Sequence, residues 1–369
     1  MYEEKTFPKK EWFETIFGFK ELANTVEEKF DVIESEDHVK LKSKINNKTY
    51  NAGKFQIKSS SRDKYKLIKK ERQGTLNIIK GYGEHTKHFE LIDILSMQSL
   101  PKWNGATYLV ASNFNCLEFT NSNQKAADGV TNYYEDNTQG PYAALACGPS
   151  AVYRNYFIKH NDNVSQLNKE INLLERTPIN VKHGYAIINN DKYLKKNNSN
   201  FDWDDPEIWQ VGIHSNCEVV MKRGQNSTFS MAPKNQIANH VYASALNFNR
   251  NVKSTYFTKE IAKKLLVAEY RAAILAAWEN SSKFANLAGS NKLSLTLLGG
   301  GVFQNPYEII CEAIMENIDL IMESGLDVYI TCFKEDDFYE IEGFLSDYVY
   351  GTDGRIIDTN DDLDCKDLI

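Results

Sequence analysis

Leu293-Ser-Leu-Thr-Leu-Leu-Gly-Gly-Gly-Val-Phe-Gln-Asn-Pro306 runs on through an apolar-periodic stretch to Ser324, then Gly325 and Leu326-Asp-Val-Tyr-Ile-Thr-Cys-Phe333. The alternation in Leu293–Leu298 predicts a buried strand, and the three glycines predict a tight turn into a helix. Asn305 is placed as its N-cap, Pro306 suits the first helical position, and Glu308 stands where a capping box needs an acid. The helix is expected to reach about Ser324, stop at Gly325 and hand over to a second strand at Leu326–Phe333. Glycines between a strand and a helix N-terminus let backbone N–H groups approach an anion closely. Such a turn can hold phosphate without a lysine.

Working outward, Ile261–Asn280 has little polar surface and predicts a helix packed on a sheet. Ile208–His214 and Ala238–Ala245 read as strands, as do Thr107–Ser112 and Gly184–Ile188. Tyr142–Phe157 is apolar enough for a buried helix, which Gly148-Pro149 must kink or split. An amphipathic helix is expected at Gln166–Glu175, and Asn189–Asp205 reads as a polar surface insertion. Residues 1–100 are charged and weakly periodic, with two helical candidates in Lys10–Phe30 and a strand at Gly74–Ile79. The fold class that follows is α/β, three layers, with a mixed and mainly parallel sheet. The expected division is an α+β extension over 1–100, a binding domain over 101–350 with an insertion near 159–205, and an acidic exposed tail over 351–369.

The chain has 369 residues, 42% of them hydrophobic and 12% aromatic, enough for a large core. Its net charge of −7 offers no basic footprint for a nucleic-acid backbone, so no nucleic-acid partner is expected. Six cysteines are scattered without metal-site spacing, which points to a reducing compartment and no bound metal. No apolar h-region or membrane-length run is present, and a cytoplasmic, soluble monomer is the expectation, with delivery into a host cell as an effector the alternative. The matches to the glycosylation pattern at Asn47 and Asn226 are read as accidental.

The glycine turn has several possible owners. A phosphate loop of the nucleotide triphosphatases needs Gly-Lys-Ser/Thr, which Gln304-Asn305-Pro306 lacks. A dinucleotide fingerprint fails because Gln304 replaces its third glycine, and too little chain follows Phe333 to complete that domain.

Gly299–Pro306, preceded by the alanine-rich helix, resembles the second phosphate loop of macrodomains, which bind ADP-ribose. Val110–Asn115 resembles the asparagine-bearing end of their central strand, and Ala127–Val130 the start of their first diphosphate loop. Asn113–Phe119, Asp136–Pro141 and Tyr153–Phe157 together resemble a divergent branch that includes bacterial effector-type hydrolases. These remove ADP-ribose from arginine, with ubiquitin among their targets, and use loop aspartates.

The resemblance implies a macrodomain-like fold and a glycohydrolase acting on ADP-ribosylated protein, with no cofactor beyond ADP-ribose as ligand or product. The alternatives are a reader that binds ADP-ribose without cleaving it, or a hydrolase of a small ADP-ribose derivative. Gly299, Gly300, Gly301, Val302 and Phe303, with Gly129 and Val130, are expected to hold the diphosphate. Asn113 and Asn115 are placed on the distal ribose, and Phe303 or Tyr134 against sugar or base. Cleavage at an anomeric carbon passes through an oxocarbenium-like state that carboxylates assist. Asp136 is therefore assigned the attacking water and Asp128 the ribose or departing guanidinium, with Glu135 as substitute. An acid for the adenine is not evident, since Leu91–Gln98 offers only Asp93. His214, Arg154, Cys116 and Cys147 read more readily as structural groups.

Overall fold

The computed structural model describes residues 6–159, 165–197 and 200–369. Its centre is a ten-stranded sheet. The strands in chain order are β1 (Phe30–Glu34), β2 (Val39–Ser43), β3 (Thr49–Ser59), β4 (Thr75–Lys80) and β5 (Thr107–Ala111). There follow β6 (Gln210–Glu218), β7 (Ile237–Ala243), β8 (Lys292–Leu295), β9 (Asp327–Cys332) and β10 (Ile356–Asp358). Across the sheet the order is β10-β4-β9-β8-β5-β7-β6-β3-β2-β1. Pairing is parallel from β10 to β7 and antiparallel from β7 to β1.

The sheet is covered on both faces, so its central strands are almost wholly buried, polar members such as Thr107, Asn239, His240 and Ser294 included. In β5, Tyr108 and Val110 point into one core and Leu109 into the other, the two-residue period of a strand. One face carries the helix Tyr256–Lys283, then Tyr307–Met315, Ile318–Ser324 and Glu335–Gly351. The opposite face carries Gln139–Ala146 and Gly148–Tyr156, which part at Cys147 just ahead of the expected Gly148-Pro149 break. The long helix buries residues around most of its circumference because it lies between the sheet and its neighbouring helices. This is an α/β/α sandwich. No helix among the described residues is long and apolar enough to cross a membrane.

Several expected elements differ. The helix after the glycine turn is two helices, broken at Asn317, whose Nδ2 donates to Ala313 O at 2.9 Å and to Val267 O at 3.0 Å. Gly325 ends the second in the left-handed region, φ 66°. Gln166–Glu175 forms turns, not a helix, because Gln166 is buried and its amide bonds Arg154 O and Ile171 N. Within Asn189–Asp205 a short helix, Asp191–Asn197, forms, and Trp203 stacks on Trp209. In Lys10–Phe30 one short helix, Trp12–Phe17, and 3₁₀ turns replace the two expected helices.

The boundaries at 100 and 350 divide hydrogen-bonded strands. β4 lies between β10 and β9, with Leu76, Ile78 and Ile79 fully buried, and β1–β3 extend the other edge of the same sheet. The acidic segment after Gly351 is not simply exposed. Its aspartates at 361 and 362 face water while Ile357, Cys365 and Leu368 are buried, and Trp103 Nε1 donates to Leu368 O at 3.0 Å. Ending the chain after Gly351 removes β10 and that acceptor together. A loss of about 3 kcal/mol or more in urea unfolding is expected, whereas a merely attached tail leaves the midpoint unchanged.

Candidate functional site

The parallel strands β5, β7, β8 and β9 end on one side of the sheet, and a cavity of about 490 Å³ opens there. Its size suits a nucleotide-sized ligand, and its place matches the general rule for α/β sheets. Residues just past each strand line it: Ser112 and Asn113 after β5, Ala245 after β7, Thr296–Gly299 after β8 and Phe333 after β9.

The glycine turn forms one wall. Gly299 sits at φ 80°, and an added Cβ there meets Ala245 and Asn305 at 2.5 and 2.6 Å, so glycine is required. Gly299 O accepts from Asn305 N, and Gly300 N donates to Leu297 O, both at 3.0 Å. The N–H groups of Gly301, Val302 and Phe303 have no acceptor among the described residues. Gly299, Gly301, Val302 and Phe303 line the cavity, whereas Gly300 packs beneath them toward Ile310 and Tyr307. Asn305 is not the side-chain cap expected from its position. It is buried, and its Nδ2 donates to Leu246 O at 2.9 Å and Gly299 O at 3.3 Å, closing the turn on itself. The capping residue is Pro306, without the capping box.

The opposite wall begins at Gln139. Its Nε2 donates to Leu109 O and its Oε1 accepts from Ala111 N, each at 2.8 Å, so the side chain prolongs the β5 ladder. Gly140 then lies so close to the strand that a Cβ would stand 1.9 Å from Ala111 O and 2.4 Å from Glu118 Oε2. Asp136 lies before this helix, accepts from Thr138 N at 2.9 Å, and lines the cavity. Asn113 is buried there and donates to Phe119 O at 3.0 Å. Phe303 completes that corner against Tyr185, ring centres 5.9 Å apart. Arg250 stands exposed at the mouth.

The remaining expected site residues are elsewhere. Asn115 is fully buried, its Nδ2 donating to Glu170 at 3.1 Å and its Oδ1 accepting from Leu117 N at 3.1 Å, so its side chain closes the turn after β5 and does not line the cavity. Asp128 is exposed and turns back to accept from Lys125 N at 2.9 Å. Glu135 is also exposed and receives the hydroxyl of Tyr134 at 3.2 Å. Neither they nor Tyr134 line the cavity.

Gly129 and Val130 meet an anion of the protein's own. Glu21 accepts from Val130 N at 2.9 and 3.1 Å and from Thr131 N at 2.7 Å, and Tyr156 OH donates to it at 2.7 Å. Trp12 Nε1 takes Thr131 O from the same N-terminal segment at 2.8 Å. Of the two amides assigned to phosphate in the first loop, Val130 N is thus taken by a carboxylate and Gly129 N donates to Ala126 O at 3.1 Å.

Asp93 does not reach the cavity. It caps Ile94–Met97 and pairs with Arg223 at 2.7 and 3.0 Å. At the end of the cavity near Phe333 stands a different acid, Asp337, which accepts from Tyr307 OH at 2.9 Å. Arg154 is buried without an ion pair among the described residues. It donates to Cys116 O at 3.0 Å, lies 3.8 Å from the Tyr242 ring centre, and approaches His214 Nδ1 at 3.4 Å. Burial pushes the thiols of Cys116 and Cys147 up, unlike a reactive thiolate.

Glu118 was not singled out by the sequence, where it is one acid between Leu117 and Phe119. It is buried yet lines the cavity, and its Oε1 has no partner among the described residues. Burial pushes its carboxyl up to about 8, with nearby Asp136 adding to the rise and Arg154 and the Ser112 hydroxyl opposing it. A buried acid without a full set of partners is costly to keep.

No protein-family profile matches the chain, and no curated protein matches it. Among solved structures, the apo form of poly(ADP-ribose) glycohydrolase from Deinococcus radiodurans is similar at 10% identity and TM-score 0.41, over 80% of this chain and 93% of that one. The same enzyme in complex with ADP-ribose gives 9% and 0.42, over 80% and 95%. The Oceanobacillus iheyensis macrodomain with MES bound gives 15% and 0.33, over 68% and 89%.

The Glu21 contact makes a direct prediction. In E21A the amides of Val130 and Thr131 should lose protection from hydrogen exchange by about tenfold or more, the worth of a charge-assisted bond. Protection equal to that of the unaltered protein would mean the loop is held by its other contacts.

Proposed function

We propose that this protein is a macrodomain-like hydrolase that binds ADP-ribose in the cavity and removes it from modified side chains. The observation that carries the reading is the arrangement of one cleft. Unpaired backbone N–H groups of Gly301–Phe303 stand on one wall, and Asp136 stands across from them. Amides aimed at an anion hold diphosphate without side-chain charge, and Arg250 at the mouth adds one cation. Phe333 and Asp337 lie toward the base, with Asp337 offering an acceptor to an exocyclic amine. Asn113 and Phe303 lie toward the distal ribose. The reading draws also on the resemblance of Asn113–Phe119 and Asp136–Pro141 to the arginine-directed branch.

In this account Asp136 receives the proton of the attacking water while the bond from the anomeric carbon to nitrogen breaks, its electron pair leaving with the guanidino nitrogen, which departs as neutral guanidine and then regains the proton from Asp136. The half-buried position of Asp136 lets water reach it from the mouth. Arginine-linked ADP-ribose is the favoured substrate, with modified ubiquitin the first protein to test. Asp128 and Glu135 have no part in the chemistry, since both face solvent away from the lining.

Two measurements separate an enzyme from a reader. Calorimetry with ADP-ribose, AMP and NAD should show ADP-ribose as the tightest ligand. Incubation with arginine-, serine- and glutamate-linked ADP-ribosyl proteins should release ADP-ribose from the arginine linkage. D136N should lower that turnover by about 10²- to 10⁴-fold, the usual worth of general acid–base catalysis, with affinity for ADP-ribose changed little. Binding without release from any linkage identifies a reader, and release only from a small ADP-ribose derivative would replace the protein substrate.

A further inference from the structure

Among the buried polar groups that the fold leaves incomplete, the Glu118 carboxyl is an acid that also lines the cavity. It is 6% exposed, its residue lines the cavity, and Oε1 finds no hydrogen-bond partner among the described residues. Its surroundings keep it in place. Tyr133 OH accepts from the Glu118 backbone N–H at 3.1 Å, and Gly140 lies against Oε2 with no room for a Cβ. The side chain therefore cannot swing out to water without moving the helix that Gln139 ties to β5. A carboxyl fixed at the bottom of a cleft with an unused oxygen is completed by a ligand that supplies hydroxyl groups.

We propose that Glu118 is the residue that recognises the distal ribose, its buried carboxyl engaging the vicinal hydroxyls of the sugar. This rests on the ADP-ribose reading above and deepens it, because it names what distinguishes ADP-ribose from ADP in this cleft. A neutral acid offers one donor and one acceptor side by side, as a vicinal diol does. An ionised one would place a further negative charge beside a ligand that already carries two phosphate charges.

Among the groups facing Glu118, Arg154 and the Ser112 hydroxyl favour the ionised form and Asp136 the neutral one, so the balance is set by burial. Asp136 from the preceding loop is a like charge, and the Tyr133, Tyr185, Tyr242 and Cys116 side chains nearby are neutral. Arg154, the one cation of the set, gives its Nε to Cys116 O and lies over the Tyr242 ring; its Nη2 has no partner among the described residues, and it makes no ion pair within 4 Å of Glu118. Burial is the larger effect and leaves the carboxyl protonated until about pH 8.

The consequences are readable by calorimetry on the full chain. At pH 7, E118A should weaken ADP-ribose binding by about 10- to 100-fold, as for an unpaired buried hydrogen bond, and leave ADP affinity within about twofold. E118Q, which keeps a donor and an acceptor in the same shape, should stay near the unaltered protein. The pH dependence is the sharper readout. If only the protonated form recognises the sugar, raising the pH from 7 to 9 should cost about tenfold in ADP-ribose affinity, while E118Q shows no such fall.

Should E118A fail to fold, the comparison of the unaltered protein with E118Q across pH still decides. ADP-ribose binding indifferent both to E118A and to pH overturns this assignment alone, and so does an E118Q variant that loses as much as E118A. An unaltered protein that binds neither ADP nor ADP-ribose overturns the ADP-ribose reading and this assignment with it.

Discussion

The cleft depends on one close approach, that of Gly140 to the carbonyl of Ala111. Gln139 makes it possible by acting as a further rung of the β5 ladder, giving its amide to Leu109 O and taking Ala111 N. With a Cβ only 1.9 Å from Ala111 O, no other residue fits at 140. The helix Gln139–Ala146 is thereby seated on the end of the central strand. That seating fixes Asp136 at the rim, traps Glu118 beneath, and sets the width of the cavity opposite the glycine turn. A loosened contact here would alter both carboxyl groups at once.

Charge is handled economically in this site. The cavity lining contains no lysine, and its one arginine, Arg250, is exposed at the mouth. On the proposed reading, anion binding falls to the backbone N–H groups of Gly301–Phe303, which carry no desolvation cost of a full charge. The second amide nest, at Val130 and Thr131, is given over to Glu21 from the N-terminal segment. Together with Trp12, that carboxylate anchors the loop leading to Asp136, so the first thirty residues serve the site although they lie outside its lining.

The central β-α-β unit was legible because its chemistry is local. Alternating leucines, a glycine turn and Gly325 each act within a few residues of themselves. The strands β1–β3 were not, since β1 leaves Val32 and Ile33 exposed and a register shift beside Gly53 interrupts the β2–β3 pairing, and β4 was visible as a strand but not as a member of the same sheet. Site residues divide in the same way. Asp136 and Asp128 are equivalent on paper, and the 3₁₀ turn that sends Asp128 back to Lys125 N separates them. The pairing of Glu21 with Val130 spans 109 positions, and no local pattern announces it. Glu118 became visible only when burial and an unpaired oxygen could be seen together.

A structure of the protein with ADP-ribose tests the account most directly. It should place diphosphate oxygens within hydrogen-bond distance of the N–H groups of Gly301–Phe303, with the distal ribose on Glu118 near Asp136 and Glu21 still bound to Val130 and Thr131. Diphosphate seated instead on Val130 and Thr131, with Glu21 displaced, or a ligand lying outside the cavity at the ends of β5, β7, β8 and β9, would contradict it.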